Sequence, residues 1–426
     1  MQDHDQRLAL HNEVHARPPQ AMQVPVSITH IVMWTDRDGR EASRAHLAQL
    51  LRNHHLATPE VHTTHLGADF GGWRLRWELH TEFVTWTFLR DGVPGALHSA
   101  PETAVQAVPQ DWLEKLPGEC LARLHVWALP ARDKTAAWVS QCLREDSLVA
   151  STVADGLAEV HTDFQLHADG ASRMLVFADA MAPRRLGRLV QQLLEIETYR
   201  MVALLGLPAA RAAGLVLADA ERELAELAQA IRSAQREHEA GLLDRLTRLA
   251  GQVEGQYAAT HSRFSASRAY FELVDRRIHD IRESRLGGSQ TIAEFMERRL
   301  SPARSTCDWA VRRQTALSER VSRMSNLLRT RVEIEQQQSS QELLSTMNRR
   351  QGLQLQLQST VEGLSVAAIT YYITGLVHHV VEGLHHHGWP WGVNATTAAT
   401  VPLVALLVWL FIRRIHHRIA GQGQPH

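Results

Sequence analysis

Two apolar segments near the C-terminus constrain this chain more than any other feature. Gly363 to Leu384 (GLSVAAITYYITGLVHHVVEGL) and Ala395 to Ile412 (ATTAATVPLVALLVWLFI) are joined by the short polar loop His385-His386-His387-Gly388-Trp389-Pro390-Trp391-Gly392-Val393-Asn394. A helix needs roughly 20 mainly apolar residues to cross a bilayer, so each segment is just long enough to span one. Arg349 and Arg350 precede the first, and Arg413, Arg414 and Arg418 follow the second. Positive charge beside span ends marks the cytoplasmic side. The expected protein therefore sits in the bacterial inner membrane with both termini cytosolic and the histidine-tryptophan loop outside.

The opening Met1-Gln2-Asp3-His4-Asp5 has neither the basic region nor the apolar run of a signal peptide, so insertion is expected to rest on the C-terminal pair. The 426 residues, 44% hydrophobic and 21% charged, have the composition of a folded protein with room for two or three structural units. A net charge of -1 gives no field to attract nucleic acid. Cys120, Cys142 and Cys307 are odd in number and lack CxxC spacing, so neither a disulfide framework nor a zinc site is expected.

The pattern between the ends divides into an α+β cytosolic domain (1–180), a long-helix region (181–362), the transmembrane hairpin (363–412) and a basic cytosolic tail (413–426). Val24 to Trp34 reads as a strand and Arg40 to Asn53 as a helix. Trp73, Leu75, Trp77 and Leu79 alternate with Arg74, Arg76, Glu78 and His80, and Val84, Trp86 and Phe88 with Thr85 and Thr87. This period of two and the short join predict an antiparallel pair. Further strands are expected at Ala122 to Leu129, Leu148 to Val153, Glu159 to Leu166 and Ser172 to Phe177, with a helix over Pro101 to Leu116. That order implies a mixed or antiparallel sheet with helices on one face. After Pro183 the pattern is helical. Leu186, Leu189, Val190, Leu193, Leu194 and Ile196 recur at helical spacing, Pro208 marks a break, and Ala218 to about Arg285 has scarcely a breaker. Gly287-Gly288-Ser289 turns the chain. A helix unbroken from Ala303 to Gly363 would run about 90 Å. It would be a coiled-coil-like stalk of long antiparallel helices, or only a packed spacer.

Four phrases resemble an uncharacterised bacterial family of membrane-anchored proteins defined by a domain of unknown function. They are His11-Asn12-Glu13-Val14-His15-Ala16-Arg17-Pro18, His80-Thr81-Glu82-Phe83, Leu193 to Leu205 (LLEIETYRMVALL) and Glu362 to Tyr372 (EGLSVAAITYY). The resemblance covers nearly the whole chain and implies no activity. The order of elements is also similar to the CorA type of divalent-cation transporter, a homopentamer whose first span ends in Gly-Met-Asn. Here Gly375-Leu376-Val377 stands at that place and Gly392-Val393-Asn394 lies too near the second span, which departs from the family's selectivity signature.

Thr370, Tyr371, Thr374, Gly375, His378 and His379 are the pore-lining candidates, with Tyr371, Gly375, His378 and His379 expected on a common side. Polar groups at membrane depth usually face protein or a water-filled cavity, and hydroxyls and imidazoles can replace a cation's water shell. The plainer reading packs the tyrosines between spans and sets the histidines at the outer surface. Glu382 and His385 to His387 suit borderline metals, or form a solvated loop anchored by Trp389 and Trp391. His11 and His15 share a helical face, but Glu13 is not in the order of a zinc peptidase. Asn12, Glu13, His15, Arg17, His80, Glu82, Glu195, Glu197 and Arg200 are the family-phrase residues. They are expected to be structural, with Asn12, Glu13 and Arg17 bonding the sheet or Glu82, and Glu195, Glu197 and Arg200 in ion pairs. No phosphate loop or nucleophile elbow appears, so an enzyme is the least supported class. The leading expectation is a homo-oligomer whose cytosolic domain senses a ligand and whose spans conduct divalent cations. The alternative is a non-conducting membrane-anchored scaffold or sensor.

Overall fold

The apolar run after Pro25 lies near the middle of the sheet. The computed structural model describes residues 3–8, 10–11, 18–60, 62–92, 101–179, 181–233, 238–385 and 392–420. Val26–Trp34 (β1) pairs antiparallel with Phe83–Asp91 (β4) on one side and Glu119–Pro130 (β5) on the other. The remaining strands are His65–Asp69 (β2), Arg74–Leu79 (β3), Val149–Val153 (β6), Ala158–Thr162 (β7), Ser172–Ala178 (β8) and Ser284–Arg285 (β9). Their order is β2-β3-β4-β1-β5-β8-β7-β6-β9. Among the described strands only the β5–β8 pair is parallel, with Leu124 opposite Ser172, which makes the sheet mixed.

Strands β1 and β4 are buried at nearly every position, so both faces of the sheet's centre need cover. Arg37–Asn53 (α1) presses Leu47, Leu50 and Leu51 onto Ile31, Met33, Trp77, Trp86 and Phe88. Gln110–Leu113 (α2) adds Trp112 to that cluster, and Ala136–Cys142 (α3) covers Trp127, Leu175 and Phe177. On the opposite face Pro183–Leu204 (α4) lays Leu186, Leu189, Val190 and Leu193 over Ile28, Val126 and Val176. Each such aliphatic side chain contributes about 1.5–3 kcal/mol on burial. The expected cover on one face is therefore corrected to cover on both, because β1 and β4 present apolar residues on both. The helix expected over Pro101 to Leu116 is also corrected. It is a single turn at Ala104–Ala107 followed by α2, because Pro109 has no N–H to continue the ladder.

Beyond the sheet come Gly206–Ser233 (α5), Glu239–Asp280 (α6) and Ile292–His385 (α7). The breaker-free stretch from Ala218 is thus two helices that fold back on each other. Gly206 lies against Ser267, while Glu223 reaches Arg245, so α5 and α6 are antiparallel. Asp275 to Arg304, Arg268 to Asp308 and Glu254 to Ser318 make α6 and the start of α7 antiparallel too. Pro302 sits within α7 without ending it.

Contacts divide the chain into Met1–Ser325 and Asn326–His426. The first unit holds the sheet, α1 to α6 and the start of α7, since α4 shares the sheet's core. The second holds the rest of α7 and Val393–Ala420 (α8), with His378 Nδ1 3.2 Å from Thr397 Oγ1. Among the described residues three stretches are long and apolar enough to cross a membrane: Pro183–Ser233, Ile292–Leu384 and Val393–Arg414. In the first, Leu186, Leu189, Val190 and Leu193 of α4 pack on the sheet, while Leu215 and Val216 of α5 are exposed.

Candidate functional site

The sheet's α4 face is apolar around Val126 but polar around β3. Because Leu75 and Trp77 face α1, the pleat turns Arg76 and Glu78 to the other side, beside His30 of β1 and Thr85 and Thr87 of β4. Above them α4 offers Gln191, Leu194, Glu195, Thr198 and Tyr199, which share one helical face. These groups, with Gln20, Met22, His80 and Leu89, enclose a cavity of about 80 Å³. Gln20 is held there because Gly187 lets it lie directly on α4, and Met22 N–H donates to the Pro183 carbonyl at 3.0 Å.

His30 is buried between two hydroxyls, with Nδ1 2.8 Å from Thr87 Oγ1 and Nε2 2.9 Å from Thr198 Oγ1. Thr198 donates its own proton to the Leu194 carbonyl at 2.8 Å. It must therefore accept from Nε2–H, which leaves Nδ1 to accept from Thr87. Burial drives the His30 pKa down to about 4, with Arg76 and His80 acting the same way against the pull of Glu78. The imidazole is neutral at physiological pH, as this pairing requires.

Five hydrogen bonds run in series around the wall. Arg277 donates to Glu195, and Gln191 donates to Glu195 Oε1 at 2.8 Å. Arg76 donates to Gln191 Oε1 at 3.3 Å and to Glu78 Oε1 at 2.7 Å, and Thr85 donates to Glu78 Oε2 at 3.5 Å. The chain of bonds links α6, α4, β3 and β4, and Arg277 also donates to Asp280 at 3.1 Å. Burial and the neighbouring Glu195 raise the Tyr199 pKa, so its hydroxyl stays protonated. Its ring stacks on Tyr270 at 5.8 Å between centroids, and Tyr270 is pushed up to about 12 by burial and by Glu82.

The wall continues outward. A groove of about 460 Å³ is lined by Pro18, Pro19, strand β2 and Arg74, and it shares Gln20 and Arg76 with the inner cavity. Pro18 closes the first family phrase. His11 is exposed, and Asn12, Glu13, His15 and Arg17 lie outside the described residues.

The other family-phrase residues separate into three places. His80 and Glu195 line the cavity. Both oxygens of Glu82 accept from Arg263, at 3.1 Å each, and that guanidinium lies 5.3 Å from the Trp34 ring centre. Glu197 is buried where α4 meets β8, away from the cavity, and accepts from Arg200 at 3.0 and 2.7 Å and from Ser172 at 3.2 Å. Glu197 and Arg200 thus pair with each other, while Glu195 pairs with Arg277. Sequence reasoning missed His30, Gln191, Arg263 and Arg277 as site residues. His30 is masked by the apolar run around it, although the alternation of β3 did mark Arg76 and Glu78 as one face.

In α7, Thr370 and Thr374 lie with His378 at four-residue spacing, and His378 meets Thr397 of α8. Tyr371 is 77% exposed, and His379 is exposed with Nδ1 3.7 Å from Glu382. Space beside Gly375 is open. His386, His387, Trp389 and Trp391 lie outside the described residues. Among the described residues no group of three or more His, Cys, Asp or Glu is arranged to hold a metal.

Compared with known families, residues 2–419 match the one described as "Protein of unknown function (DUF3422)". The comparisons found no match among curated proteins and none among solved structures, so the architectural likeness to CorA gains no support.

Proposed function

The chain belongs to the DUF3422 family, and we propose that it is a membrane-anchored sensor whose α/β domain takes a small polar ligand beneath α4. The observation that carries this reading is the cavity, where polar side chains from four elements converge on an enclosed space. Ligand sites are concave, with a few converging polar groups, and this space has both features. In this reading the C-terminal part of α7 and α8 are the anchor. Arg349, Arg350, Arg413 and Arg414 favour the cytosolic side of a bacterial inner membrane for both ends. The test is to replace residues 363–412 with an unrelated two-span hairpin and assay complementation of a deletion strain. A sensor that uses the spans only as an anchor keeps its function. Loss of function with normal membrane insertion sinks the reading.

A second reading, a divalent-cation conduit built from several copies, has one favouring observation: the row Thr370, Thr374 and His378 beside Thr397. Five first spans around an axis would need these groups to turn from α8 toward the pore. Flux of Mg, Co, Ni or Zn into liposomes bearing the purified chain, absent from empty vesicles, decides for it.

A further inference from the structure

We infer that the cavity beneath α4 binds the zwitterionic head of a small α-amino acid, with its side chain directed into the outer groove. The inference rests on the sensor reading above and names the ligand class. Size comes first. A space of about 80 Å³, at roughly 10–15 Å³ for each water-sized centre, holds about five to eight heavy atoms, a range that includes glycine and an amino-acid head group.

Charge comes second. At the wall Arg76 is matched by Glu78 and Arg277 by Glu195, the further carboxylate on Arg277, Asp280, being 36% exposed to solvent, so a ligand with net charge would add an uncompensated ion to the cavity. A zwitterion adds none. Nη1 and Nη2 of Arg76 each carry a second N–H besides the one given to Gln191 or Glu78, and these match the ligand's carboxylate; its ammonium matches the acceptors Glu78, beside Arg76, and Glu195, beyond Gln191 on the same wall. The Tyr199 hydroxyl, held protonated, is a further donor at that wall. The third observation is adjacency. Arg76 and Gln20 line both the inner cavity and the groove of about 460 Å³, so a substituent that passes these two side chains has space to occupy.

The test is thermal unfolding of the full chain in detergent with glycine, L-alanine, acetate, methylammonium and urea, each at the same millimolar concentration. Glycine and alanine are expected to raise the melting temperature by several degrees while the three others leave it unchanged. Arg76→Gln and Glu195→Gln are each expected to weaken alanine binding by about tenfold or more, the worth of one lost charge-assisted bond. A shift from acetate, methylammonium or urea equal to that from alanine overturns the assignment, as does no shift with any of them. The panel on the unmodified chain decides alone if either variant fails to fold. Its result is independent of the hairpin replacement, so failure of the ligand class and failure of the sensor reading are distinguishable.

Discussion

Gly187 has no side chain because the Gln20 carbonyl occupies its place. A Cβ built there would lie 1.8 Å from that oxygen, so Gly187→Ala must push the Gln20 segment off α4. Overpacking of this kind costs about 1–3 kcal/mol, and the loss is expected as a lowered denaturation midpoint. Gly251→Ala, in a helix with open space at that position, is the control that leaves it unchanged or raised. His30 yields a pH prediction whose sign follows from its burial. Its folded pKa of about 4 lies below the ordinary 6.5, so between those values the unfolded chain binds more protons. Stability is full above pH 6.5 and falls as pH drops toward 4, by roughly 2 kcal/mol at pH 5 and on the order of 3 kcal/mol at the end of the window. Urea unfolding followed by the buried tryptophans at pH 7 and pH 5 measures the difference, and His30→Gln should remove this share of it. His125, also near pKa 4 through burial, keeps its own share in that variant.

Among elements, the join between the β3–β4 turn and α6 rests on the two-pronged Glu82–Arg263 pair. Both side chains are less than a third exposed, at 27% and 16%, so the pair is only partly screened. Truncating either partner is expected to cost about 1–3 kcal/mol, and a double-mutant cycle on Glu82→Ala and Arg263→Ala should return a favourable coupling. Additive losses would show that the two act separately. The alternation around Trp77 and Trp86 made β3 and β4 legible in sequence because one face of each strand must be apolar. Strand β2 (His65–Asp69) went unseen because an exposed edge strand carries little apolar signal, and β9 because two residues have no period. The site was half legible. His80 and Glu195 stand in phrases that drew notice, but their partners Gln191 and Arg277 are ordinary surface-type residues whose role depends on α4 and α6 meeting over the sheet.

At the scale of the molecule, apolar exposure is concentrated on α7. Leu343, Met347, Leu357 and Val361 are each 57–69% exposed and fall within a third of the helix circumference. Copies anchored in one membrane point the same way, so this row is expected to meet its counterpart in a parallel pair or bundle. Disulfide cross-linking at Leu357→Cys, with Cys120 replaced by Ser, should join copies in intact membranes, whereas cysteine at Gln356, about 100° away, should do so less. The C-terminal helices themselves predict that carbonate washing leaves the full chain in the membrane pellet. A chain ending at Ser325 is expected in the supernatant. Release of the full chain without detergent would remove the anchor from any account of this protein.

Gln191 stands between two ion pairs, taking a bond from Arg76 on its oxygen and giving one to Glu195 from its nitrogen. Arginine can only donate and an ionised carboxylate can only accept, so the amide has a single permitted orientation. It works as an insulator, keeping each arginine from trading carboxylates with the other pair across the gap. Swapping it for Glu would set three acidic groups in a row and leave the two halves of the wall free to short-circuit.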